Sequence, residues 1–134
     1  MPSGPILVCF PFVGDEIGGS HVSALKLVEA LNPARVTPLI VLHVVDGPLA
    51  AYLRERGIAF VAAPSGPLPE RGGGMAGYAL RAVGMLARFL TKNGIDIVHT
   101  NDGRIHALWA LPARLAGARQ LWHHRGDPDA RAVN

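Results

Sequence analysis

Residues 5–31 read PILVCFPFVGDEIGGSHVSALKLVEAL. The opening run, Pro5–Phe12, is continuously apolar rather than alternating. Such a run fits a strand buried on both faces, as in a parallel sheet held between helix layers. From Ser20 to Leu31 the period becomes helical. Val22, Leu25, Val28 and Leu31 share one side, which Ala24 and Leu27 widen, while Ser23, Lys26 and Glu29 lie elsewhere. Asn32-Pro33 ends the helix. Between strand and helix lies Gly14-Asp15-Glu16-Ile17-Gly18-Gly19-Ser20-His21. A glycine pair at such a turn lets another group come close to bare backbone. The helix start adds unpaired N–H donors and a positive dipole end, which suit a phosphate or carboxylate.

The strand-then-helix order continues downstream. Pro38–Val45 reads as a second buried strand. Asp46-Gly47-Pro48 opens a short helix over Leu49–Arg56, with Asp46 as N-cap, Pro48 in the first turn and Gly57 closing it. Ile58–Ala62 is a third strand, and Pro64–Gly74, rich in proline and glycine, is a loop. Met75–Lys92 is helical: Ala79, Val83, Leu86 and Leu90 form one stripe, and Arg81, Arg88 and Lys92 another. After Asn93-Gly94 come a strand over Ile95–Thr100, a helix over Gly103–Leu115 tightened near Pro112, and a fifth strand over Gln120–His124. Arg125–Asn134 reads as a polar, disordered tail.

This order predicts an α/β fold in one domain over residues 1–134: a three-layer sandwich around a parallel sheet of about five strands, with right-handed crossovers and order 3-2-1-4-5. A ligand crevice is then expected at the carboxyl ends of the strands, near the first one. The 14–21 loop opens there, as do His99–Gly103 and His123–Asp127.

Bulk composition narrows the class. The chain has 134 residues, 49% hydrophobic and 17% charged, which is a globular balance. No apolar run reaches the roughly 20 residues of a membrane span. Met1–Gly4 lacks the basic region of a signal peptide, so a cytoplasmic protein is expected. The single cysteine, Cys9, excludes an internal disulfide and reads as a small buried hydrophobe. Net charge is +3, and the cations gather late: residues 54–134 carry eleven Arg/Lys against six Asp/Glu. No dense basic run marks a nucleic-acid arm, so no nucleic-acid partner is expected. The basic stripe of Met75–Lys92 leaves two readings, a solvated surface or peripheral contact at the inner membrane face.

Several familiar chemistries are absent. The first loop holds Gly14, Gly18 and Gly19 but no Gly-x-Gly-x-x-Gly, and no P-loop pattern occurs anywhere. No Gly-x-Ser-x-Gly elbow is present. The histidines at 21, 43, 99, 106, 123 and 124 show no helical His-Glu-x-x-His or other strong ligand spacing, so no metal is expected.

Four segments together resemble a known family. FPFVGDEIGGSHVSALKLVEAL looks like the opening of the family 4 retaining glycosyltransferases, which have the GT-B fold of two Rossmann-like domains. DGPLAAYLRERGI resembles that family's second helix and its closing glycine, and GIDIVHTND its fourth strand with a polar turn. LAGARQLWHHRGDP resembles the stretch leading to a strand that ends in histidine. The resemblance covers most of residues 5–127 and implies roles. Gly18, Gly19 and Ser20 would form the loop facing the phosphates or reacting sugar of a nucleotide-sugar donor. His124, or its neighbour His123, would lie near the transferred sugar as the catalytic histidine, with His124 preferred because it is nearer the strand end. His99 matches the strand-four histidine, in a structural or a catalytic role. Asn101 and Asp102 would contact acceptor or cap the next helix. Asp15 and Glu16 would meet acceptor hydroxyls or stay solvated, and Arg125 would meet phosphate, an acidic acceptor or only water.

In that family the donor nucleotide is held mainly by a second domain with basic residues and a pair of glutamates, which the sequence given does not contain. The expectation is therefore the N-terminal, acceptor-side domain of a glycosyltransferase: no metal or other cofactor, a carbohydrate or lipid-linked acceptor, and negligible turnover on its own. Two alternatives remain open at this point. One is another GT-B enzyme such as a nucleotide-sugar epimerase; the other is a non-catalytic half-domain that pairs with a second chain.

Overall fold

A central parallel sheet with a helix layer on each face organises the chain. The structure, a computed structural model, describes residues 4–69 and 74–123. Within them β1 (Ile6–Phe12), α1 (Gly19–Ala30), β2 (Val36–Leu42), α2 (Pro48–Glu55), β3 (Val61–Ala62), α3 (Met75–Lys92), β4 (Ile97–Thr100), α4 (Gly103–Ala116) and β5 (Arg119–Trp122) follow in sequence. The strands pair in parallel in the order β3-β2-β1-β4-β5, as the sequence predicts.

The unbroken hydrophobicity of β1 follows from burial on both sides. Cys9, Val41 and Val98 face α3 and α4, where Ala82, Leu86, Leu90, Ile105, Trp109 and Ala113 meet them. Val8, Phe10, Phe12, Ile40 and Leu42 face α1 and α2, against Ala24, Leu25, Leu49 and Leu53. Alternate residues of one strand thus feed two separate cores. Burial pushes the Cys9 thiol far above its ordinary range, so it behaves as an inert small hydrophobe.

Two strand prolines fit where the ladder is one-sided. β4 pairs with β1 only at Val8 and Cys9, leaving Pro11 beyond that pairing. β3 pairs with β2 only at Val41 and Leu42, leaving Pro38 before it. A missing N–H is tolerated at such open stretches.

Several local expectations are corrected. Gly47, not Asp46, is the N-cap of α2, and no side chain caps it. Glycine is required at position 47, because any Cβ there would lie 2.5 Å from the Gly14 carbonyl oxygen. β3 shrinks from five residues to Val61–Ala62, because Ile58 N–H bonds to Leu53 O in the turn that leaves α2. Leu27 does not widen the buried side of α1; it is exposed, and His21 joins Ala24 and Leu25 there instead. β2 begins at Val36, paired with Ile6, and β5 begins at Arg119, paired with Ile97. Pro112 sits inside α4 on its buried side. The expected tail lies outside the described residues, as do residues 70–73 of the Pro64–Gly74 loop.

Candidate functional site

The carboxyl ends of β1, β4 and β5 lie together in this topology, where a ligand crevice is expected. Its first wall is the loop between β1 and α1. Gly14 has φ +94, a left-handed conformation, and a Cβ there would lie 2.6 Å from Val44 O. Gly14 is thus a packing residue: it lets the exits of β1 and β2 touch, where Val44 N–H donates to Val13 O at 2.8 Å.

Gly18 and Gly19 differ in kind. Gly18 is extended, with φ −131, and neither glycine is left-handed. A Cβ on Gly19 meets nothing within 4 Å, and one on Gly18 meets only His21 Nδ1 at 3.7 Å. Neither backbone conformation nor internal packing demands glycine at these positions. Gly18 is the N-cap of α1, which carries no side-chain cap and no acidic residue in its first turn. His21 and Val22 donate their N–H groups to Gly18 O at 3.1 and 3.2 Å. The amides of Gly19 and Ser20 remain the first-turn donors that the helix itself does not use.

His21 holds this turn in shape. Its Nδ1 accepts from Gly18 N–H at 2.8 Å, and its ring lies 5.9 Å from that of Phe12. The ring acts as the third-position Glu or Gln of a capping box does, reaching back to the N-cap amide. The sequence signal was available, a polar side chain three residues after the cap, but histidine is an unusual residue for the task.

The other wall comes from β4, α4 and β5. Asp102 caps α4, its Oδ1 accepting from Arg104 N–H at 2.8 Å and Ile105 N–H at 3.2 Å. Asn101 and His99 are both buried at the strand end. The His99 ring stacks on His123 at 5.8 Å and lies 5.0 Å from Phe10, on the α1 side of the sheet. His123 is itself exposed, and its N–H donates to Thr100 O at 2.8 Å, prolonging the β4–β5 pairing. His99 and His123, with Leu121 and Trp122, line a depression of about 390 Å³. His124 and Arg125 lie outside the described residues.

Asp15 bridges the two walls. Its Oδ2 lies 3.6 Å from Arg104 Nη2 of α4, with both side chains partly exposed. Glu16 is exposed beside it. The structure therefore brings Asp15, the Gly18–Ser20 turn, His99, Asn101, Asp102 and His123 to one edge of the sheet. Arg104 joins them unforeseen, since its partner is 89 residues away in the sequence.

A second polar cluster, also missed, is built around His43, just after β2. Trp109 Nε1–H donates to His43 Nε2 at 3.0 Å. An indole can only donate, so in neutral His43 the proton sits on Nδ1. That nitrogen lies 3.0 Å from Gly66 O and 3.1 Å from Tyr78 Oη. Tyr78 O–H donates to Gly66 O at 2.8 Å and also meets Ser65 Oγ at 2.8 Å. Burial lowers the His43 pKa, opposed more weakly by the bond to Gly66, so the ring is held neutral. Burial likewise raises the Tyr78 hydroxyl, partly offset by Ser65. The cluster ties the segment after β3 to β2, α3 and α4.

No protein-family model and no curated protein matches the chain. Among solved structures it is similar to MurG from Acinetobacter baumannii, with 21% identity and a TM-score of 0.70, over 95% of this chain and 38% of that one. It is also similar to a glycosyltransferase from Rickettsia africae, with 17% identity and a TM-score of 0.56, over 99% of this chain and 34% of that one. The chain thus spans between a third and two fifths of the length of these structures. Sequence identity this low speaks to architecture alone, and the architecture is a Rossmann-like α/β domain with a GT-B-like fold.

Proposed function

We propose that this chain is the acceptor-side half of a glycosyltransferase that moves a sugar from a nucleotide-sugar donor to a carbohydrate or lipid-linked acceptor, with retention at the anomeric carbon. The observation that carries the reading is the Gly18–Gly19 turn. It opens onto the crevice of a glycosyltransferase-like fold, and neither its backbone angles nor its neighbours require glycine. Close approach of a ligand to bare backbone supplies the missing reason.

In this reading the Gly19 and Ser20 amides face the donor diphosphate, adding fixed dipoles where negative charge develops on the leaving group. His123, or His124 beyond it, stands next to the transferred sugar. Asp15, Glu16 and Asn101 meet acceptor hydroxyls, and Arg125 meets phosphate. Asp102 serves the fold by capping α4, and His99 orients His123 through their stacked rings. The charge is met by amides and cations, so the reaction calls for no metal. The free, buried Cys9 suits a reducing compartment such as the cytoplasm.

Half of such a cleft leaves the donor open to water and weakly held. Incubation with radiolabelled nucleotide sugars and candidate acceptors tests this directly. The 134-residue chain alone should give negligible transfer, and a longer protein carrying it with a second Rossmann-like domain should give product of retained configuration. Robust turnover by the short chain contradicts the half-site, and an inverted product contradicts retention.

A further inference from the structure

His43 sits in a pocket whose hydrogen bonds admit only the neutral ring. His43 is 2% exposed and Trp109 is fully buried. Trp109 Nε1–H occupies Nε2, while Nδ1–H serves Gly66 O and Tyr78 Oη. An imidazolium has two N–H donors and no acceptor, so a second proton sets Nε2–H against the indole N–H. One of the two rings must then move. Trp109 packs against Phe89 within the core that holds Leu86 and Leu90, and cannot yield without opening it. The wall on the other side of His43 is thinner. It is the turn Ala63–Gly66, closed by Gly66 N–H donating to Ala63 O at 3.0 Å, with Pro64 exposed and Ser65 and Gly66 half-buried. Ala63 N–H is held by Leu42 O, but past it the turn is tied to His43 and Tyr78 through Gly66 O and Ser65 Oγ. Leu68, two residues on, packs on the core and confines any opening to the turn itself.

We infer that His43 is an acid-triggered latch: on taking a second proton the ring leaves Trp109 and opens the Pro64–Gly66 turn, while the sheet stays folded. No neighbouring side chain holds a buried imidazolium in place. From α3 comes the Tyr78 hydroxyl, kept protonated by burial. The turn supplies Ser65 and α4 the Trp109 indole, and the core shared with Trp109 holds the Cys9 thiol, also kept protonated by burial. Arg81 and Arg88 of α3 border a hollow of about 430 Å³ with Pro64, which puts cations beside the turn. Among the described residues no carboxylate bonds to the ring or to these partners. The Gly66 carbonyl favours the charged ring, but more weakly than burial opposes it. The closed ring therefore resists protonation, whereas a ring in water takes the proton near its ordinary value of about 6.5. Acid favours the open form, by about tenfold for each pH unit between the two values. The latch uses no residue of the Gly18–Ser20 turn and stands apart from the transferase reading.

Nuclear magnetic resonance titration of the isotopically labelled whole chain, from about pH 7.5 to about pH 4.5, tests it. The Trp109 indole proton should move upfield as its acceptor is lost. The Ser65 and Gly66 amides should shift with the same midpoint, below the ordinary histidine value of about 6.5. The amides of Ile6–Phe12 should not follow. His43→Gln can keep both bonds, its carbonyl accepting from the indole and its amide donating to Gly66 O, yet it does not titrate, so the shared step should vanish. Tyr78→Phe removes the hydroxyl that ties the turn to the ring and should raise the midpoint toward about 6.5. A shared step that persists in His43→Gln overturns the inference, as does a midpoint unmoved in Tyr78→Phe. So does the absence of any shared step, or indole movement that leaves Ser65 and Gly66 in place. Simultaneous loss of the β1 signals also overturns it, because the event is then unfolding of the domain and not release of a turn.

Discussion

Replacing Gly14 by alanine should damage the fold, whereas the same change at Gly19 should not. At Gly14 two penalties combine. A left-handed φ of +94 costs an L-residue about 1–2 kcal/mol. The new Cβ would also stand 2.6 Å from Val44 O, a backbone atom fixed by its own strand contact, and relieving that clash costs about 1–3 kcal/mol more. The sum is about 2–5 kcal/mol, and at roughly 3–4 °C per kcal/mol for a domain of this size the melting temperature should fall by about 10 °C. At Gly19 the backbone is not left-handed and the Cβ meets open space, so alanine in the first helical turn should change stability by no more than about 0.5 kcal/mol. Thermal denaturation followed by far-ultraviolet circular dichroism compares the two. Equal destabilisation would mean that Gly19 is a packing residue, and the reasoning that reserves it for a ligand would fail.

Three further outcomes are expected. The unfolded chain protonates His43 near its ordinary value of 6.5, but the folded chain does so only at lower pH, so its contribution is complete above about pH 6.5 and declines below it. Urea midpoints should therefore drop between about pH 7.5 and 5.5, and His43→Gln should flatten part of that drop; parallel curves would contradict the buried neutral ring. Trp109→Phe leaves His43 Nε2 without its donor in a fully buried site and should cost about 2–3 kcal/mol by urea denaturation, while a loss under about 0.5 would show that the bond is dispensable. Asp102→Ala removes the cap of α4 and should cost about 1 kcal/mol, whereas no change in urea midpoint would mean that water replaces the carboxylate at no loss.

The sheet was legible because its signals are local. Pro5–Phe12 is apolar throughout, and each helix carries its own period and stop, down to the bounds of Met75–Lys92. The edges were less so. Val61–Ala62 is all that pairs of a five-residue apolar run, because the turn after α2 uses the backbone of Ile58. The topology puts the loops after β1, β4 and β5 at one end of the sheet, but the side-chain partners across them were not legible. Arg104 meets Asp15, and Trp109 meets His43, through contacts between residues far apart in sequence, which no local pattern encodes. His21 reads in sequence as one histidine among six and becomes a backbone acceptor only when the turn exists.

The Gly18–Ser20 turn is proposed to receive the phosphates of a nucleotide sugar. Amide chemical-shift titration of the isotopically labelled chain with a nucleoside diphosphate sugar tests it most directly, with Gly19→Val alongside as a folded variant whose side chain fills the approach. The account predicts saturable shifts centred on Gly18, Gly19 and Ser20 in the parent, largely lost in Gly19→Val. Shifts confined to other parts of the molecule, or unchanged in Gly19→Val, would contradict it.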